Sequence, residues 1–176
     1  DAVARHYVPR SDDVLAYMDR AWLDAEAHGF SAQPVVEMLI PSVVDDSLAP
    51  NGAHVASLFC QQFKPEADWD ALKERAVQAV FGVVQSHCPN FRASLLGYRA
   101  LTPLDLEREF GLVGGDIFHG QLSLDQLFSL RPLLGYARYR GPLRGLYHCG
   151  SGAHPGGGVT GAPGHNAAAE IRRDLA

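Results

Sequence analysis

The sequence predicts an α+β fold: a mainly antiparallel or mixed sheet with helices packed on one face, then a short strand, a glycine-rich loop and a C-terminal helix. Three observations carry this. Apolar residues recur at helical spacing in two long stretches, residues 11–29 and 70–87. Several β-prone runs end at proline or turn residues. The composition changes near Arg140, from mixed helices and strands to strand, glycines and an Ala-rich helix. With 176 residues the chain is long enough for a real core, and 47% hydrophobic with 20% charged residues is a globular balance.

The elements follow in order. "RSDDVLAYMDRAWLDAEAHGFS" reads as the first helix, with Ser11 as N-cap and Asp12 and Asp13 at the positive end of its dipole. Leu15, Met18, Trp22 and Leu23 recur at helical spacing, and Gly29 supplies a left-handed stop. "VVEMLI" reads as a strand ended by Pro41, and "DDSLAPNG" as a turn-rich connection. "AHVASLFCQQFKP" reads as a long strand in which neither face is wholly polar, so both faces are expected to be covered. A second helix is expected from Asp70 to His87, buried along Leu72, Ala76, Val80 and Val83.

"FRASLLGYRALTP" reads as a further strand. "TPLDLEREFG" has the make-up of a capped helix, with Thr102 at N-cap, Pro103 at N1, Asp105 at N3 and Gly111 past the end. Residues 112–132 read as irregular. "RGLYHCG" reads as a short strand, and the last helix runs through "NAAAEIRRDL", starting between Val159 and Ala162 so that Pro163 falls in its first turn.

Several function classes are excluded. A net charge of −5 argues against a nucleic-acid surface. The longest apolar runs are strand-sized, so no transmembrane segment is expected. Three scattered cysteines without a CxxC pair, and no basic-then-apolar leader, point to an intracellular, cytoplasmic home. His148, Cys149, His154 and His165 match no zinc spacing, so no metal is expected. No G-x-S-x-G elbow supports a serine hydrolase. Asp45 and Asp46 read as turn chemistry rather than a catalytic carboxylate pair.

The informative stretch is "HCGSGAHPGGGVTGAPGHNAAAE", residues 148–170. A strand, a glycine turn and a helix start make an anion or dinucleotide site, because glycines admit close approach and the first helical N–H groups lack internal partners. The P-loop pattern is absent, and the G-x-G-x-x-G match at Gly156, Gly158 and Gly161 lies too near the chain end for a βαβ unit. A ligand site at the helix start and a structural turn both remain open on these grounds.

The segment "LYHCGSGAHPGGGVTGAPGHNAAA", with the Arg-Pro of "LFSLRPLLGYARYRGPLRGLY" upstream, resembles the C-terminal FAD-binding segment of the phytoene desaturase-like flavoproteins. "IPSVVDDSLAPNGAHVASLF" and "LTPLDLEREFGLVGGDIFHGQLSLDQLFSLRP" extend the resemblance, which is similar to the subgroup of the pyridine nucleotide-disulphide oxidoreductase domain-containing protein 2 type. The resemblance implies an FAD-dependent oxidoreductase, dehydrogenase- or desaturase-like, moving hydride from an apolar small-molecule substrate to flavin. It implies that residues 1–140 belong to a substrate domain and 141–176 to the strand, loop and helix that return to an FAD domain. The Rossmann half of that domain is expected to lie outside this sequence as a missing partner, leaving this chain inactive and weak in FAD alone.

By the same resemblance Gly150 and Ser151 lie near the FAD ribityl and diphosphate, while Gly157, Gly158, Val159 and Thr160 face the flavin pyrimidine ring. His148 and Thr160 depart from the family pattern, which prefers apolar residues there. No catalytic residue is assigned. His119 and His154 are candidates to move a proton or else hydrogen-bonded loop histidines, and Arg131 either orients a cofactor or substrate oxygen or supports the loop through an ion pair. The alternative to an enzyme part is a non-catalytic binding or interaction module. Apolar surface around Leu146 and the terminal helix is expected to drive homo-oligomerisation.

Overall fold

The computed structural model describes residues 5–7, 14–50 and 52–176, with the backbone alone for 5–7. Ser11, Asp12 and Asp13, the expected start of the first helix, lie outside the described residues. Contacts divide the chain into two units, Asp1–Glu109 and Phe110–Ala176.

In the first unit, α1 spans Val14–His28. It ends as expected at Gly29, which adopts φ +89° and closes the last turn by donating its N–H to Ala25 O. Only glycine fits there, since a Cβ would stand 2.9 Å from Ala67 Cβ. The buried face of α1 is not its row of large apolar residues. Tyr17, Ala21 and Ala25 are buried, whereas Leu15, Met18, Trp22 and Leu23 are exposed. Tyr17, Ala21 and Ala25 form an i, i+4, i+8 row, and the Tyr17 hydroxyl donates to Gln33 O and Pro34 O. The large apolar residues therefore fall on the opposite side.

The sheet is antiparallel and has three strands in the order β1 (Arg5–Tyr7), β2 (Val36–Leu39), β3 (Ser57–Cys60). β2 ends before Pro41, as expected, and the Asp45 carboxylate accepts from the Ser47 N–H and hydroxyl, confirming turn chemistry. β3 is four residues long rather than a dozen. Only its Leu58–Cys60 face is covered, by α2, while Ser57 and Phe59 face outward with Leu39. Alternation decided the matter, because one covered face satisfies half the side chains of a strand. Burial pushes the Cys60 thiol up to about 12, which keeps it protonated and inert.

α2 (Trp69–His87) is capped by Asp68, which accepts from the Ala71 N–H. It buries Val77, Val80, Phe81 and Val84 against Val36 and the inner side chains of the sheet. A second cluster joins Phe30, Trp69 and Ala76. The strand expected at 91–103 is instead a single helical turn, α3 (Phe91–Ser94), followed by extended chain outside the sheet. Its aromatics serve packing: Phe91 and Tyr98 both set their rings edge-on to Phe81, at 5.4 and 5.1 Å.

α4 (Pro103–Phe110) starts as its sequence dictates. The Asp105 N–H donates to Thr102 Oγ1, and the Asp105 carboxylate accepts from the Thr102 N–H, a reciprocal cap. The same carboxylate takes Lys73 Nζ at 2.8 Å, joining α4 to α2. Lys73 first, then the Thr102 N–H, hold its pKa down to about 2 from an ordinary 3.8. A lowered carboxylate pKa stabilises the fold above the unfolded value and loses that contribution as pH falls from about 4 to about 2. Asp105→Asn is therefore expected to lower stability by about 1–2 kcal/mol at pH 7, with the difference vanishing near pH 2. Urea midpoints measured across that range check it; a difference that does not change with pH would exclude the carboxylate's charge as the cause.

The second unit is irregular up to α5 (Ala162–Leu175), with isolated 3₁₀ turns at Val113–Gly115, Leu124–Gln126 and Phe128–Leu130. The strand expected at 144–150 is reduced to one antiparallel bridge, Arg140 to Tyr147. A tight loop between them leaves no room for a ladder: Leu146 N–H donates to Leu143 O, and Gly141 N–H to Leu146 O. α5 begins at Ala162 with Pro163 in its first turn, as expected. Among the described residues no helix is long and apolar enough to cross a membrane.

Candidate functional site

The glycine stretch is built on successive tight turns. Ala153 N–H donates to Gly150 O and Gly156 N–H to Ala153 O. Gly156 and Gly158 adopt φ +102° and +143°, conformations that side chains rarely take. Two side chains pin this loop from beneath. The Tyr139 hydroxyl donates to His154 O at 2.9 Å and accepts from Asn166 Nδ2 at 2.8 Å, which joins the loop to α5. Tyr139, Ala153 and Ala167 form the buried cluster of this unit. Arg131 Nη2 donates to Ser151 O at 2.8 Å and, more weakly, to His119 O at 3.5 Å.

The loop has one closed edge and one open edge. A Cβ on Gly156 would lie 3.3 Å from Leu122, and one on Gly157 would lie 3.6 Å from Ser151 and 3.7 Å from Phe118. A Cβ on Gly150, Gly152, Gly158 or Gly161 would meet nothing within 4 Å. The open edge continues through Val159 and Thr160, both exposed, to the start of α5. That helix end has fewer donors than its position implies. Pro163 has no N–H, and the Ala162 N–H is taken by Thr160 Oγ1 at 3.2 Å.

Of the sequence-derived candidates, Arg131, His119, Ser151, His154 and Gly157 come together around this loop. Arg131 is 2% exposed and pairs with backbone carbonyls, so the expected ion pair is not found among the described residues. His154 is half-buried, its ring 5.8 Å from that of Phe128. His119 is exposed, with φ +56°. Gly150, Gly157, Gly158, Val159 and Thr160 line the solvent side and Ser151 is half-buried. Among the described residues no group of His, Cys, Asp or Glu is arranged to hold a metal ion.

Sequence reasoning missed Tyr139, Asn166 and Arg140. Arg140 binds Glu170 and Asp174 on α5 at 2.6 and 2.7 Å, and the Tyr147 hydroxyl also donates to Asp174. The Arg140 guanidinium, then Tyr147, hold the Asp174 carboxyl below its ordinary value. The acids at 170 and 174 are one helical turn apart, which is a readable signal. Tyr139 carries none, because its role depends on the loop it lies beneath.

These geometries coincide with sequence likeness. The chain is 49% identical over 164 residues, 90% of its length, to a protein of Rattus norvegicus named pyridine nucleotide-disulfide oxidoreductase domain-containing protein 2. The chain resembles that protein. It spans 28% of that relative's length. It is also 28% identical across 70% of its length to the phytoene desaturase (lycopene-forming) of Pantoea ananas. Across 89% it is 27% identical to the 4,4'-diapolycopen-4-al dehydrogenase of Metabacillus indicus. No family model matches the chain. The relatives' names are those of oxidoreductases and desaturases, which supports the coarse oxidoreductase reading.

Proposed function

We propose that this chain is the part of an FAD-dependent oxidoreductase that closes the cofactor's flavin side and carries a portion of the substrate domain. The observation that supports this most is the loop at 150–161, pinned on its inner edge and open on its outer edge, in a chain 49% identical to a named oxidoreductase-domain protein. The residues fit the group. Gly150, Gly152 and Gly158 leave room for a ligand to approach the backbone, and a buried donor beneath the loop, Arg131 Nε, has no partner among the described residues. Gly150 and Ser151 would then lie along the ribityl and diphosphate, and Gly157, Gly158, Val159 and Thr160 along the pyrimidine edge. When bound, FAD supplies the hydride acceptor. The chain's own residues hold and orient it, and no side chain of this chain is assigned to move a proton. In this reading residues 1–140 serve the substrate side, apart from Arg131 and Tyr139, which hold the glycine loop, and 141–176 serve the cofactor side. An apolar substrate accords with the outward face of the sheet, where Leu39 and Phe59 are exposed.

FAD titration of the chain, followed by flavin fluorescence and by amide spectra, tests this. The expected result is weak binding, with Kd above about 100 µM, and shifts confined to Gly150–Gly161, because the loop supplies a minority of the cofactor's contacts. Micromolar affinity would overturn that division of contacts, and unmoved loop amides would overturn the cofactor assignment.

A second reading, a non-catalytic interaction module, is favoured by the exposed Leu15, Met18, Trp22 and Leu23 on α1 and by Leu146 and Leu175. Light scattering on the same samples separates the two: concentration-dependent association without loop shifts supports the module.

A further inference from the structure

We propose that Arg131 is an anion-binding residue beneath the glycine loop, its guanidinium receiving an oxyanion or polarised carbonyl oxygen of the group that the loop admits. The proposal rests on the cofactor reading for the identity of that group, and on three observations for the site itself. First, Arg131 is 2% exposed, and among the described residues no carboxylate pairs with it. A guanidinium removed from water at this depth ordinarily has an anionic partner. Second, Nη2 is engaged with Ser151 O and His119 O, which fixes the plane of the fork, while the buried Nε–H has no partner among the described residues. A buried donor in this state carries the full cost of its lost hydration, so an acceptor there gains more than one at the surface. Third, Gly156 lies beside Nε: an added Cβ there would come within 3.9 Å of that nitrogen and 3.3 Å of Leu122.

Gly156, Gly157 and Gly158 are consecutive, and the open edge begins at Gly158. The start of α5 cannot serve in Arg131's place, since its first N–H is taken by Thr160 and its second position is proline. The shared chemistry is therefore a negatively charged or strongly polarised oxygen, and it has two sources in a flavin dinucleotide: the diphosphate and the ring carbonyls.

The test uses the 176-residue chain labelled uniformly with ¹⁵N and titrated separately with pyrophosphate, riboflavin and FAD. The Arg131 Nε–H resonance is expected to move and saturate with FAD and with one of the simpler probes. Pyrophosphate identifies the diphosphate as the source, and riboflavin identifies the ring. Arg131→Gln is expected to weaken that binding about 10–100-fold, read from the loop amides. The wild-type titration keeps the proposal falsifiable if the variant does not fold. FAD moving the loop amides while the Nε–H stays still would overturn the role of Arg131 and leave the cofactor reading intact. Pyrophosphate moving the Nε–H while FAD leaves the loop untouched would support the anion site and overturn the cofactor reading. No response to any probe would overturn the anion site.

Discussion

Trp69→Ala will destabilise the first unit by about 3–5 kcal/mol, the largest single loss expected there. Trp69 is 2% exposed and packs with Phe30 and Ala76. Phe63 lies against it at 5.9 Å, and Ala67, Leu72 and Leu104 close the cluster. The substitution removes this area from the core and leaves a cavity that the surrounding helices cannot fill, since Gly29 already stands against Ala67 and Leu72 with no slack. It also leaves Lys64 O without the indole N–H, which donates at 3.0 Å. The loss falls where α2 begins, so the Asp68 cap and the neighbouring α4 loosen together. Urea denaturation followed by circular dichroism measures the cost. A loss under about 1 kcal/mol would mean that this cluster does not hold the unit.

Tyr139→Ala will cost the second unit about 3–5 kcal/mol, and Tyr139→Phe about 1–2 kcal/mol. The two substitutions divide the contribution between ring and hydroxyl. The ring is the one large side chain in a buried cluster whose other members are Ala153 and Ala167. The hydroxyl bridges His154 O and Asn166 Nδ2, and so fastens the glycine loop to α5. A unit with so small a core has little else to hold these pieces together. Hydrogen exchange is the decisive measurement: Tyr139→Phe is expected to release protection selectively at Ala153, Gly156 and the first turns of α5. Equal protection in the two proteins would show that Arg140 and its carboxylates hold the helix unaided.

The parts of the fold that proved legible share a local cause. The Thr102–Asp105 cap, the Gly29 stop, the Asp45 turn and the Pro163 helix start are satisfied by residues within a few positions of one another. A short side chain beside a backbone N–H leaves few alternatives. Strand length and helix orientation were not legible. "FRASLLGYRALTP" has strand composition, yet Phe91 and Tyr98 go to the face of α2, and a helical turn places them there. The first helix has two apolar rows, and the Tyr17–Ala21–Ala25 row is the buried one because Tyr17 reaches Gln33 O and Pro34 O from that side. β1 was missed because three residues carry too little periodicity to register.

By itself the sequence determined the α+β class, the caps and turns, the place of the last helix and the resemblance that names a cofactor, all of which depend on neighbours along the chain or on motif identity. Only the tertiary structure decided which face of α1 is buried, how short β3 and the bridge at Tyr147 are, and that Tyr139 and Arg131 pin the glycine loop. The pinning of the loop depends on partners 15–20 residues away, and a backbone carbonyl that takes a distant hydroxyl or guanidinium leaves no mark in the identity of its own residue.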